Sequence, residues 1–310
     1  MTDTLASQLE CSNCEAVWPV KNGIPRFTDD SHYTSSFSYQ WNRFGKTQLD
    51  THSGVSHSRD RLFGETLWIP DELDGKCILE VGAGAGRFSE IILAHTKANL
   101  VCIDSSGAID QCASNNHHYG ERIQSIQASI DQMPFNDAFF DKVLCLGVLQ
   151  HTADIQKTIQ ALVNATTVGG EVVVDFYVKN GWWTRVQAKY LVRPITKRIA
   201  KKQLLKIIRA NIDWMLYLYR LFARYNLRYL SRLLPIVDVD ATFPPGLSLE
   251  QTREWAILDT FDMLSPEHDK PQRIKDIAVL FEECGTRVTF AGKRMVGSGS
   301  AAAVVTAIKV

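Results

Sequence analysis

The chain predicts an α/β fold, a parallel sheet covered by helices, and three observations point to it. Between residues 75 and 178, short apolar runs alternate with stretches of helical length, the pattern of strand–helix–strand units. The first run, Ile78-Leu79-Glu80-Val81, ends in a glycine-rich turn that opens into a helical pattern from Arg87 to His95. The apolar share is 45% of 310 residues, enough for a substantial core.

Taken in order, four pieces emerge. Residues 1–74 form an N-terminal segment. It carries Cys11-Ser12-Asn13-Cys14, then Val20-Lys21-Asn22-Gly23-Ile24-Pro25-Arg26-Phe27, then closely spaced aromatics at Tyr33, Phe37, Tyr39, Trp41 and Phe44. Residues 75–178 form the core. Its expected strands are Cys77–Val81, Leu100–Ile103, Ile123–Ala128, Lys142–Leu146 and Glu171–Tyr177. Residues 179–270 are a basic, helix-rich insert. Residues 271–310 return to the core, with a helix near Ile274–Cys284 and strands near Arg287–Ala291 and Ala301–Ile308. No internal repeat interrupts this order.

Composition narrows the classes. No run reaches the ~20 apolar residues of a membrane-spanning helix. The opening residues MTDTLASQLE lack the basic and apolar regions of a secretory signal. Seven cysteines are scattered, several inside apolar runs (Cys77, Cys102, Cys145), as in a reducing, cytoplasmic setting. Net charge is zero, but the average conceals an asymmetry. From Lys179 to Leu234 there are fourteen Lys and Arg against one acid, Asp213: +13 here and −13 elsewhere.

The glycine turn carries the first chemical information. Gly82, Gly84 and Gly86 read G-x-G-x-G, whereas the dinucleotide fingerprint needs its third glycine one residue later. Glu80 stands two residues before the first glycine. A carboxylate there repels a pyrophosphate but suits a ligand with an ammonium group or hydroxyls. S-adenosylmethionine carries both and no phosphate. The second strand ends at Asp104-Ser105-Ser106, where an acid can accept from both hydroxyls of a ribose. The competing reading of Asp104 is a helix N-cap.

The third strand leads to Ala128-Ser129-Ile130-Asp131-Gln132-Met133-Pro134-Phe135. The fourth reads Phe140-Asp141-Lys142-Val143-Leu144-Cys145-Leu146-Gly147-Val148-Leu149-Gln150-His151, and Val168-Gly169-Gly170 precedes the fifth. Together these motifs resemble the class I S-adenosylmethionine-dependent methyltransferases of the small-molecule type, strongly over residues 75–178 and more weakly in the C-terminal strands. The resemblance implies a Rossmann-like seven-stranded methyltransferase sheet whose last two strands form an antiparallel edge, with a helical insert between strands five and six. It implies S-adenosyl-L-methionine as methyl donor and S-adenosyl-L-homocysteine as product. By position, Glu80, Gly82, Gly84, Gly86 and Arg87 line the methionine and ribose, and Asp104 and Ser105 hold the ribose. Ser129 and Ile130 meet the adenine, and Leu146 and Gly147 offer backbone carbonyls to the methionine ammonium. Ser129 departs from the family, which commonly has Asp there; Asp131 is an alternative partner for the adenine amine.

Catalytic candidates follow from the same edge. His151 suits a general base, or a structural histidine fixing the loop. Asp175, a substrate-contact candidate, and Tyr177 end the fifth strand. Trp255–Asp269 resembles a segment of one methyltransferase subgroup associated with natural-product or surface-sugar pathways. That makes Asp259 and Asp262 acceptor-contact candidates and His268 a catalytic one; capping and turn chemistry near Pro266 is the plainer reading. Cys11 and Cys14 resemble half of a zinc-ribbon module. Structural zinc needs four ligands, so no metal is expected. Phe37–Phe44 reads as a lid over the cofactor or as ordinary packing.

The basic insert fits a solvated helical hairpin, attraction to an anionic lipid surface or a lipid-linked acceptor, or, third, nucleic acid. Association of copies through its aromatic face is compatible with each. The expected function is methyl transfer to an oxygen or nitrogen of a small molecule or sugar. The alternatives are an RNA-modifying methyltransferase and a non-catalytic partner retaining the cofactor fold.

Overall fold

The computed structural model describes residues 7–12, 14–28, 34–179, 187–296 and 300–310. Tyr33, and residues 180–186 of the basic insert, lie outside that set. Three short strands come first: β1 (Gln8–Glu10), β2 (Val17–Lys21) and β3 (Ile24–Pro25), paired antiparallel in that order. The helices α1 (Ser35–Phe44), α2 (Asp50–Ser53) and α3 (His57–Thr66) follow.

The core then alternates as the sequence pattern requires. Strand β4 (Cys77–Val81) leads to α4 (Arg87–His95), β5 (Asn99–Asp104) to α5 (Ile109–Asn116), and β6 (Ile123–Gln127) to β7 (Phe140–Cys145). Helix α6 (Ile155–Ala165) precedes β8 (Thr166–Phe176). The insert contributes α7 (Ala188–Thr196), α8 (Lys201–Arg224), α9 (Val239–Thr242) and α10 (Leu249–Leu264). The core closes with α11 (Ile274–Glu283), β9 (Thr286–Val296) and β10 (Ser300–Lys309).

The seven core strands form one sheet in the order β6-β5-β4-β7-β8-β10-β9. Five are parallel, and β10 runs antiparallel to both β8 and β9. The insert therefore sits between the fifth and sixth strands of the sheet. The central strands β4 and β7 are buried from Ile78 and from Val143 onward, so their apolar residues fall on both faces rather than alternating. Two apolar clusters cover the faces. One is built on Leu79, Val143, Val172 and Phe281, the other on Ile78, Leu144, Ile92 and Val173.

Strand bounds shift most where glycines intervene. Strand β8 begins at Thr166, ahead of the expected Glu171, because Gly169, with φ +78°, and Gly170 are taken into it through a register shift against β7. Strand β7 ends at Cys145, one residue before the expected Leu146.

A third apolar cluster joins the insert to α1. Leu204, Ile208, Ile212 and Met215 of α8 pack with Trp255 and Phe261 of α10 and with Phe44 of α1. The three-stranded ribbon docks on the β6 edge. Phe27 N–H donates to Gln127 O at 2.8 Å, and the Arg26 guanidinium reaches Gln127 Oε1 at 3.0 Å and Asp110 Oδ1 at 2.6 Å. Covering an open edge in this way protects it from pairing with other chains. Cys11 is half-buried and Cys14 exposed. Among the described residues no three His, Cys, Asp or Glu side chains come together as a metal site. No helix among them is long and apolar enough to cross a membrane.

Candidate functional site

The parallel strands aim their carboxyl ends at one edge, where open α/β sheets hold ligands. At that edge lies a cavity of about 700 Å³. The turn after β4 bends through Gly82, Gly84 and Gly86 at φ +73°, +56° and +82°, angles that side-chain-bearing residues adopt only with strain. Gly82 lines the cavity. Gly84 lies under the Trp41 indole, where a Cβ would stand 3.1 Å from Nε1. Gly86 is packed against Asn116 and Cys112 at the start of α4. Gly84 and Gly86 are therefore absent from the cavity wall; they shape the turn.

The Asp104 carboxylate, at the end of β5, lines the cavity. It accepts from Gly84 N–H at 2.9 Å and from Ser106 N–H and Oγ at 2.8 and 2.7 Å. The acid thus ties the glycine turn to the next loop. Ser105, Ala128 and Ile130 continue the wall, but Ser129 does not; its hydroxyl caps a short turn by accepting from Asp131 N–H.

Glu80 departs from expectation. It lies beneath the turn, 3% exposed and away from the cavity, accepting from Ser89 Oγ at 2.6 Å. Burial pushes its carboxyl up to about 7. Its position on β4, with α4 packed behind, turns the side chain into the protein and braces the strand against α4.

Arg87 does line the cavity. Its Nη1 donates to Gln48 Oε1 at 2.6 Å and its Nε to Ser58 Oγ at 3.2 Å, while the buried Nη2 has no hydrogen-bond partner. Burial, reinforced by neighbouring Arg61, lowers its pKa to about 10. The same two guanidiniums and burial hold His57 down to about 3, so its ring is neutral.

Leu146 and Gly147, after β7, also line the cavity. Asp175 fixes Gly147: one carboxylate oxygen accepts from Gly147 N–H, the other from Arg61, which also donates to Glu65 at 2.7 Å. Asp175 faces the cavity, yet both its oxygens are engaged within the protein. That geometry makes it a brace for the loop, as Asp104 is for the glycine turn; each carboxylate keeps lone pairs beyond these bonds.

The opposite wall comes from the insert and the loop after β7. Helix α10 carries Asp259 and Asp262 three residues apart, hence on one face, both lining the cavity. Asp259 lies inside the helix and Asp262 in its last turn; Ser248 and Gln251 cap the N-terminus of α10. Asp259 accepts from Gln48 Nε2 at 2.9 Å, and burial beside Asp262 pushes its carboxyl up to about 7.

Tyr177 lines the cavity and is 39% exposed. Enclosing walls and the neighbouring acids raise its phenol well above the usual range. Lys189 stands 5.0 Å from the Tyr177 ring centroid. His151, 7% exposed, packs edge-on against Phe37 and Tyr177. Its Nδ1 lies 2.8 Å from the His268 carbonyl. A carbonyl only accepts, so Nδ1 carries the hydrogen and Nε2 is the basic nitrogen of the neutral ring. His268 contributes this backbone oxygen, and its side chain lies off the cavity wall.

Helix α1 sits on the same region. Phe37, Gln40 and Trp41 line the cavity, and Ser38 Oγ accepts from Gly107 N–H at 2.8 Å. Sequence reasoning missed Gln48, His57, Arg61, Lys189 and Tyr219. The only local signal among them is the Arg61–Glu65 spacing of four on α3.

The arrangement fits S-adenosylmethionine on structural grounds. The orphaned Arg87 Nη2 is a buried donor suited to a carboxylate such as the methionine one. Asp104 is placed for hydroxyls, and Gly147 lacks a Cβ where only Arg61 would be within 3.9 Å.

Similarity to known proteins falls on part of the chain. A family model described as a methyltransferase domain matches residues 79–174. A tRNA U34 carboxymethyltransferase of Campylobacter curvus is 31% identical over 104 residues, 33% of this chain and 35% of that one. A ubiquinone biosynthesis O-methyltransferase of Rickettsia prowazekii is 32% identical over 99 residues, 32% of this chain and 38% of that one. The chain thus spans about a third of the length of these relatives. The solved structure of a SAM-dependent methyltransferase from Aquifex aeolicus aligns over 90% of this chain and all of that one, at TM-score 0.46 and 10% identity. What the chain carries over residues 79–174 is, by this similarity, a methyltransferase domain.

Proposed function

We propose that this chain transfers a methyl group from S-adenosylmethionine to an oxygen or nitrogen of a small molecule or sugar. The observation that carries the reading is one cavity with two unlike walls. The core wall offers Asp104, the Arg87 Nη2 donor and the Gly147 backbone. The facing wall offers His151 and Tyr177 from the loops after β7 and β8, and Asp259 and Asp262 from the insert. When bound, S-adenosylmethionine supplies an electrophilic sulfonium methyl.

The chain's own residues then hold the acceptor in line and exclude water, and such positioning supplies much of the barrier reduction in a reaction of this kind. Asp259 and Asp262 accept hydrogen bonds from acceptor hydroxyls or an amine. The His151 Nε2 takes the proton that the nucleophile loses, while the His268 carbonyl holds the ring's tautomer. Helix α1 acts as the lid, through Phe37 and Trp41. The two relatives each match over about a third of the chain, so their own acceptors do not transfer to it.

Calorimetry with S-adenosylmethionine and S-adenosylhomocysteine tests the first half. Binding is expected, weakened about tenfold or more in Asp104→Asn, where a charge-assisted acceptor is lost. Absence of binding sinks the reading. Release of S-adenosylhomocysteine over a panel of hydroxyl and amine acceptors tests the second half. There His151→Gln is expected to lower kcat by about 10²-fold or more with cofactor affinity retained.

A further inference from the structure

The insert turns two faces to its surroundings. One face of α8 packs inward through Leu204, Leu205, Ile208, Ile212 and Met215. The other bears Ile207, Trp214 and Tyr217, exposed by 50, 47 and 65%. At 100° per residue these three fall on one stripe. Lys202, Lys206, Arg209, Arg220 and Arg224 flank it, all exposed. Of these, Lys202, Lys206, Arg220 and Arg224 make no ion pair among the described residues. The single acid of the stretch, Asp213, is already paired with Arg253 at 2.6 Å. Beyond α8 the chain adds Tyr225, Tyr229 and Leu233, exposed by 65, 65 and 61%, and α7 adds Leu191 and Ile195 at 68 and 67%. An apolar stripe on α8, in an insert that exposes further large apolar side chains, marks an interaction surface.

We infer that this outer face of the insert docks on an anionic lipid surface. A helix with apolar and aromatic side chains beside a cationic flank is the pattern that lies in the interface plane of a bilayer. Each cation near an anionic leaflet adds attraction, and aromatic rings favour headgroup depth. A second copy of this chain fits poorly, because pairing two such faces sets like charges together. Nucleic acid uses the cations and stacks on the aromatic rings, but gives nothing to Ile207, Leu191, Ile195 and Leu233. The cavity reaches the same element from its inner side, since Tyr219 on the buried face of α8 and Ser231, Arg232 and Leu234 of the following turn line it. Resting on the function proposed above, the docked insert would hand the site an acceptor carried in the lipid.

The test is co-sedimentation of the full chain with phosphatidylcholine vesicles, with and without phosphatidylglycerol, alongside cofactor calorimetry and tRNA gel-shift. Capture by phosphatidylglycerol vesicles, weakening with salt, is expected. Lys206→Glu/Arg220→Glu/Arg224→Glu is expected to lower the partition by about two orders of magnitude or more. Ile207→Ser/Trp214→Ser, which keeps every charge, is expected to lose vesicle binding yet keep its cofactor affinity. The docking is overturned if neither vesicle captures the chain, if tRNA binds while phosphatidylglycerol vesicles do not, or if the serine variant sediments like the parent. Vesicle capture without cofactor binding overturns the function reading alone.

Discussion

Glu80 shows how a motif residue can serve the fold. Its carboxyl is raised to about 7 by burial and returns to an ordinary value near 4.5 on unfolding. A raised carboxylate favours the folded state while both forms are protonated. That stabilisation is lost as pH rises from about 4.5 through about 7, because the unfolded chain sheds its proton first. Above pH 7 the ionised group then costs as much as about 3 kcal/mol. Glu80→Gln, which can still accept from Ser89, should therefore melt higher than the parent at pH 8, with the gap closing by pH 4.5. Equal melting curves at both values would contradict the assignment. Gly86 is a second test at this scale. A Cβ there meets Asn116 Nδ2 at 2.5 Å and Cys112 Sγ at 2.8 Å, at φ +82°. Gly86→Ala should cost about 2–4 kcal/mol, read by urea denaturation. Motif spacing located Glu80 but not the direction of its side chain, which depends on α4 and Ser89 packing behind the strand.

At the scale of elements, the core was legible because its chemistry is local. The strand–turn–helix around Gly82, Gly84 and Gly86 is written in eleven adjacent residues, and α4 spans the expected Arg87–His95. The insert wall was not legible in the same way. Asp259 and Asp262 could be named from their sequence context, but Gln48, His57 and Arg61 reach the cavity only through Arg87 on α4, Trp255 on α10 and Asp175 on β8, which no short window encodes. Asp175 looked like an open acid at a strand end; Arg61, more than a hundred residues earlier, engages it. Breaking that link tests the element argument. In Arg61→Ala the paired Glu65 and Asp175 carboxylates lose their shared cation within the wall. A loss of about 3–5 kcal/mol is expected, with looser cofactor binding through the released Gly147 turn. Calorimetry and thermal melts together check both.

For the whole molecule, a ligand seated between core, α1 and insert should stabilise all three at once. At a hundredfold excess over its dissociation constant, S-adenosylmethionine should add about 2.7 kcal/mol. Hydrogen exchange should then slow in α1 and α10 together with the glycine turn. Protection confined to the turn would show that the insert wall takes no part. The ribbon at the far edge bears on the same question. Arg26 spans Asp110 on α5 and Gln127 on β6, and Gln127 Nε2 in turn donates to the Ser105 carbonyl beside Asp104. What looks like a detachable N-terminal appendix is thus the outer end of a relay of polar contacts reaching the cofactor side. An engineer trimming the chain to its sheet would strip Ile24, Leu62 and Trp68 from the core as well as cut that relay, so the appendix belongs to the folding unit.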